Sequence, residues 1–142
     1  DLALIKGGGA AHLVEKIVAY AASRFVVIVD ESKLVERLAD TVAIPLEVIP
    51  EARTTVIRAM EKMGGQALLR PAQSKIGPVI SENGNMIVDV RFTAGLPEPP
   101  QAMERSLNAI PGVVENGLFW HRDTVVVTGM RDGSIQAQKR EK

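Results

Sequence analysis

Between Leu2 and Val29 the chain changes its hydrophobic period twice, and this stretch limits its fold more than any other. Leu2 to Ile5 is a short apolar run that stops at Lys6 and three glycines, Gly7, Gly8 and Gly9. Ala10, Leu13, Val14, Ile17, Val18 and Ala21 then recur at spacings of three and four, the period of a helix with one buried face. Phe25-Val-Val-Ile-Val29 follows without alternation, as suits a strand covered on both faces of a parallel sheet. Strand, glycine turn, helix and strand predict a right-handed βαβ unit. Open sheets of this kind bind ligands at the carboxyl ends of their strands. Two stretches fall there: Lys6 with its glycines, and Asp30-Glu-Ser-Lys33.

The glycines fit no standard phosphate motif. No Lys-Ser/Thr follows them as in a phosphate loop, and His12 occupies the third glycine position of a dinucleotide fingerprint. The triplet reads equally as a plain tight turn or as a site where bare backbone and a helix start meet an anion. Glu15 interrupts the apolar helix together with His12 and Lys16, giving a polar strip one to two turns beyond the glycines. It is either a solvated face or a carboxylate within reach of a ligand held by the turn.

Formal charge balances at 17 basic against 17 acidic residues, so nothing favours nucleic acid or an anionic membrane surface. The absence of cysteine excludes disulfides, thiolate catalysis and Cys-ligated zinc. The two histidines, His12 and His121, lack metal-ligand spacing. With no signal peptide and no long apolar run, the expected location is the cytoplasm.

Later elements follow from pattern. Asp30 or Ser32 caps a predicted helix from Lys33 to Leu38. Ile44-Pro45 forces extended backbone, and a domain boundary is placed there. Leu46 to Ile49 is a strand. A helix over 52–63 carries Val56, Ile57, Met60 and Met63 as its core stripe. Gln66 to Arg70 is a strand, and Val79-Ile80 pairs with 86–92 around Glu82-Asn-Gly-Asn85. A helix marked by Ala102, Met103, Leu107 and Ile110 precedes a strand over 113–119. This βαββαβ order matches the ferredoxin-like pattern. Thr124 to Thr128 is a further strand, and Gln136 to Lys142 a polar tail.

Five segments also resemble a known family: Lys6-Gly-Gly-Gly-Ala-Ala-His-Leu-Val-Glu15-Lys16, Val29-Asp-Glu-Ser-Lys33, Ile44-Pro-Leu-Glu-Val-Ile-Pro50, Asn83-Gly-Asn-Met-Ile-Val-Asp-Val90 and Ile110-Pro-Gly-Val-Val-Glu-Asn-Gly-Leu-Phe119. In order and spacing they look like ribose-5-phosphate isomerase of the A type, with an archaeal flavour at His12 and at Glu-Asn-Gly-Leu-Phe. The resemblance implies interconversion of ribose 5-phosphate and ribulose 5-phosphate through an enediolate, with no metal or cofactor. It places the proton-transferring base at Glu15 and substrate binding at Lys6, Gly7, Gly8, Gly9 and Lys33. Residue types agree, since proton abstraction beside a carbonyl needs one positioned base and fixed donors for the oxyanion.

The resemblance further implies a partial Rossmann-like parallel sheet from 1–43 with 120–142, and a ferredoxin-like α+β domain over 44–119. It also implies a sugar phosphate as the small-molecule partner and a homodimer or homotetramer, with no nucleic acid or membrane. The chain resembles the family's C-terminal part, and the expectation is that the N-terminal half, with its phosphate and Asp-rich loops, is missing and that the fragment turns over substrate poorly. Two other readings are a sugar-phosphate-binding module without turnover and an assembly fragment.

Overall fold

A computed structural model describes residues 1–74, 76–121 and 124–140. In order, the elements are β1 (Leu4–Ile5), α1 (His12–Ala21), β2 (Phe25–Asp30), β3 (Ile44–Val48), α2 (Arg53–Lys62), β4 (Gln66–Leu69), β5 (Met86–Arg91), α3 (Pro100–Asn108), β6 (Val113–Asn116), β7 (Leu118–Phe119), β8 (Thr124–Gly129) and β9 (Ile135–Lys139). Single 3₁₀ turns occupy Glu31–Lys33 and Pro50–Ala52. The result is a mixed α/β protein.

The core lies under the four-stranded antiparallel sheet β4-β5-β3-β6, reached in the chain order β3-α2-β4-β5-α3-β6. Val56 and Met60 of α2 and Met103 and Leu107 of α3 are spaced by four, so each pair lies on one face of its helix, and all four are fully buried. They meet Ile44, Leu46, Val48, Val88 and Val90 from the sheet. Each such side chain contributes about 1.5–3 kcal/mol of transfer free energy. The methionines here are packing residues, as their spacing predicts.

Around this core several sequence expectations change. β1 does not join β2: it pairs antiparallel with β7, Leu4 opposite Phe119 and Ile5 opposite Leu118. The parallel partner of β2 is β8, in register from Phe25–Thr124 to Asp30–Gly129, and β9 adds antiparallel to β8. The predicted strand-helix-strand unit is therefore split between two sheets. β2 is not covered on both faces either. Val26 and Ile28 are exposed while Phe25, Val27 and Val29 are half-buried, because the described residues pack on one side only.

Helix α1 is likewise turned over. Its buried residues are His12, Lys16 and Ala19, while Val14, Ile17 and Val18 of the apolar stripe face outward. The reason is chemical and lies in the partners of Lys16, described below. The helix expected from Lys33 to Leu38 is replaced by the 3₁₀ turn, in which the Asp30 side chain accepts from Ser32 N at 2.8 Å. Leu34 and Val35 stay about half exposed, and a short helix with no face to bury is not self-supporting.

β3 starts at Ile44 and includes Pro45, so the strand begins two residues before the expected start. The expected strand over 113–119 divides at Gly117, sending β6 into the four-stranded sheet and β7 to β1. Gly117 is required there: a Cβ would lie 2.2 Å from Lys6 O and 2.5 Å from Pro45 Cγ. Most of the expected polar tail belongs to strand β9 over Ile135–Lys139, exposed throughout; Glu141 and Lys142 lie outside the described residues.

Candidate active site

The loop that follows β1 is fixed at its root. Lys6 N donates to Gly117 O at 2.8 Å, and Ala10 N donates to Gly7 O at 3.0 Å, closing a tight turn. Gly7 has φ +98°, and a Cβ there would stand 2.7 Å from His12 Cβ and 2.8 Å from Pro45 Cγ. Only glycine meets both demands. Beyond the turn, α1 starts without a side-chain cap, and Glu15 occupies its first turn.

One turn of helix brings Glu15 back over the loop. Lys6 Nζ lies 3.5 Å from Glu15 Oε2, with the two side chains 33% and 40% exposed. So open an ion pair adds little stability, about 0–1 kcal/mol. The Oε2 atom is itself buried and accepts no hydrogen bond among the described residues. A carboxylate oxygen that is not committed to a hydrogen-bond donor is available to a ligand held by the loop.

Beneath the pair lies a buried polar layer. His12 is fully buried, its Nε2 3.4 Å from Glu115 O and its Nδ1 without a partner among the described residues. Glu47, in the middle of β3, is 1% exposed and accepts from Ser81 Oγ (2.8 Å), Asn83 Nδ2 (3.1 Å) and Asn85 Nδ2 (2.8 Å). Lys16 Nζ reaches Glu104 Oε1 and Glu115 Oε1, both at 2.9 Å, Leu118 O at 2.8 Å and Asn116 Oδ1 at 3.3 Å. It also stands 5.0 Å from the centre of the Phe119 ring. The Tyr20 hydroxyl donates to Glu104 and accepts from Trp120 N. Burial and that carboxylate together push the Tyr20 hydroxyl well above its usual range.

Two of these groups make stability pH-dependent. Burial holds His12 below 6.5. Burial pushes Glu47 upward, but the bonds from Asn85, Ser81 and Asn83 together outweigh it and leave the carboxyl below 4.5. Both pKa values are depressed on folding, so the folded state binds fewer protons than the unfolded one. Their stabilisation is complete above the unfolded values and is lost as pH falls, first below 6.5 for His12 and then below 4.5 for Glu47. Urea unfolding should therefore show stability declining between about pH 7 and pH 5. His12→Gln should flatten that limb and leave the more acidic one. Equal slopes in the two proteins would refute a buried neutral His12.

A further residue grips the loop from below. Arg70, just after β4, donates from Nη1 to Gly7 O (3.1 Å) and Gly8 O (2.9 Å). Its Nε and Nη2 engage both oxygens of Asp89 on β5, at 2.8 and 2.5 Å.

Of the residues singled out from sequence, the structure thus brings together Lys6, Gly7 and Glu15. Gly8 and Gly9 have open space where a Cβ would project. Lys33 is exposed in the turn after β2, and no contact joins it to Lys6, the glycines or Glu15 among the described residues. The expected polar strip of His12, Glu15 and Lys16 is not a solvated face, since two of its three members are buried. Sequence reasoning missed Glu47 and Arg70. A charge inside the apolar run Ile-Pro-Leu-Glu-Val was a usable signal for Glu47, whereas nothing local marks Arg70.

A cavity of about 650 Å³ lies between α1 and α3, lined among others by Lys16, Tyr20, Glu104, Asn108 and Trp120. A second, of about 370 Å³, lies by α2 and Leu69. Neither is lined by Lys6, Glu15 or the glycines, so cavity size does not mark the chemistry here. Among the described residues no group of three His, Cys, Asp or Glu could hold a metal ion, and no helix is long and apolar enough to cross a membrane.

The family model described as ribose 5-phosphate isomerase A (phosphoriboisomerase A) matches residues 1–133. Ribose-5-phosphate isomerase A of Treponema pallidum is 50% identical over 133 residues, which cover 94% of this chain and 52% of that protein. The Methanocaldococcus jannaschii protein of the same name is 53% identical over 126 residues, 89% of this chain and 54% of that protein. The solved structure from Methanocaldococcus jannaschii superposes with a TM-score of 0.90 at 50% identity, covering 98% of this chain and 60% of that one. A D-ribose-5-phosphate isomerase in complex with phospho-erythronic acid gives 0.92 at 44% identity, covering 98% and 59%. The chain spans about half the length of the curated relatives it matches.

Proposed function

The chain belongs to the ribose 5-phosphate isomerase A family, and from that premise we propose that it forms part of an enzyme interconverting ribose 5-phosphate and ribulose 5-phosphate in the cytoplasm. The observation that carries the reading is the Lys6–Glu15 pair at the mouth of the glycine turn. In the open-chain aldose, Glu15 takes the C2 proton, and the electron pair left behind forms the C1–C2 double bond of an enediolate. The charge moves onto the carbonyl oxygen. The carboxylic acid then returns its proton to C1, the hydroxyl proton passes from O2 to O1, and the ketose results. Lys6 and the N–H groups of the loop bear on the oxygen where charge develops, which is where fixed donors lower a barrier most. The complex of a relative with phospho-erythronic acid, a phosphorylated sugar acid, fits this substrate class.

The finer architecture follows the same reading: a Rossmann-like part from 1–43 and 120–142, and a ferredoxin-like domain over 44–119 that supports a homodimer or homotetramer. The strand order β4-β5-β3-β6 supports the second assignment, and the parallel pairing of β2 with β8 supports the first. The test is turnover of ribose 5-phosphate in deuterated water by the protein that contains this chain, with the label read at C1 and C2. Binding without turnover or exchange would leave a sugar-phosphate-binding module instead.

Lys33 is the substrate-binding lysine of this reading. Its exposure at the carboxyl end of β2 leaves it free to meet a phosphate. Lys33→Ala should raise KM about tenfold, the loss of one charge-assisted contact. Added salt should reproduce part of that rise in the wild type, because charge pairing in water is screened. An unchanged KM would return Lys33 to an ordinary surface role.

A further inference from the structure

We infer that Arg70 is a positioning residue for the isomerisation: it aims the Gly8 and Gly9 N–H groups at the substrate. This rests on the activity proposed above. In a trans peptide the C=O and N–H point in opposite directions, and no peptide bond among the described residues is cis. The carbonyl of Gly7 shares a peptide plane with the N–H of Gly8, and the carbonyl of Gly8 with the N–H of Gly9. Arg70 Nη1 holds both carbonyls, at 3.1 and 2.9 Å. Both N–H groups are thereby turned to the opposite side, and neither donates to any group among the described residues.

The grip is itself held. The fork of Arg70 is bidentate on Asp89, the geometry in which a guanidinium has least freedom. Its backbone is paired on both sides, Arg70 N to Ile87 O and Val79 N to Arg70 O, both at 2.8 Å. A loop with three glycines would otherwise sample many conformations. One arginine thus replaces that freedom with two donors of fixed direction in the turn that leads into α1. Such donors serve a developing oxyanion more than a bound ground state.

The test uses the complete isomerase with Arg70→Lys and Asp89→Asn. Lysine keeps the charge but cannot hold two carbonyls and a carboxylate in one plane, and Asp89→Asn keeps Arg70 while loosening its fork. Each should lower kcat about 10- to 100-fold, with KM moving less than about threefold. In a Glu15→Gln background, which binds without turnover, ribose 5-phosphate should shift the Gly8 and Gly9 amide resonances. Adding Arg70→Lys should abolish those shifts. A merely structural role would reduce activity only in proportion to the folded fraction and would leave the shifts in place. Should Arg70→Lys fail to fold, Asp89→Asn decides by the same two readouts. Wild-type kcat with intact glycine shifts overturns the inference alone. Absence of turnover in the wild type overturns the proposed function with it.

Discussion

Glu15→Gln is expected to lower kcat by about 10²–10⁴-fold, or roughly 3–5 kcal/mol of barrier, with little change in substrate affinity. Glutamine preserves the size of the side chain and its hydrogen-bonding capacity but cannot take up a proton. The loss would not be one of folding. Glu15 is partly exposed, and its one ion pair, with Lys6 at 3.5 Å, is too open to matter much for stability. Glu15→Ala should do no better than Glu15→Gln, because the role of the carboxylate is chemical. Exchange of the C2 proton with solvent deuterium should disappear in step with turnover. A Glu15→Gln enzyme with near-original kcat would mean that another group carries the proton.

Lys16→Met should destabilise the fold by about 3–5 kcal/mol. Methionine replaces the stem, so the loss is that of the ammonium and not of volume. Lys16 is 4% exposed and is the shared cation of Glu104 and Glu115, at 2.9 Å from each. Without it, two carboxylates face each other across the space it leaves, and Leu118 O and Asn116 Oδ1 lose a donor. Urea unfolding measures the change. Adding Glu104→Gln and Glu115→Gln to Lys16→Met should restore part of the stability, since uncharged neighbours no longer need a counter-ion. A loss below about 1 kcal/mol for Lys16→Met would place the lysine among ordinary surface pairs.

The same lysine marks where reading the sequence succeeds and where it stops. The stripes of α2 and α3 were legible because Val56 with Met60 and Met103 with Leu107 bury against strands of the same sheet, and no distant charge competes. In α1 the period was legible but the inward side was not. Hydrophobicity points to Val14, Ile17 and Val18, whereas Lys16 goes inside because its partners at 104, 115, 116 and 118 are waiting there. Glu47 behaves alike: it is tolerated in an apolar strand because Ser81, Asn83 and Asn85 supply three donors from one turn. The pairing of β1 with β7 had no local sign, as two residues carry no register. Lys6 and Glu15 come together because the glycine turn and one turn of helix set their distance locally. Arg70 did not stand out, since an arginine before a proline at a strand end looks like any surface residue.

The break at Gly117 has a consequence for how the site comes into being. Lys6, at residue six, is anchored by the carbonyl of residue 117, and Lys16 is neutralised by groups some hundred positions further on. At about 5–20 residues per second, the ribosome delivers those partners on the order of ten seconds after the loop itself has been made. During synthesis the nascent glycine turn has no floor, Lys16 has no counter-ions and α1 has no reason to choose its inward side. Segments about a hundred residues apart must meet before the loop and α1 take up their places, so this site assembles late and depends on long-range contacts.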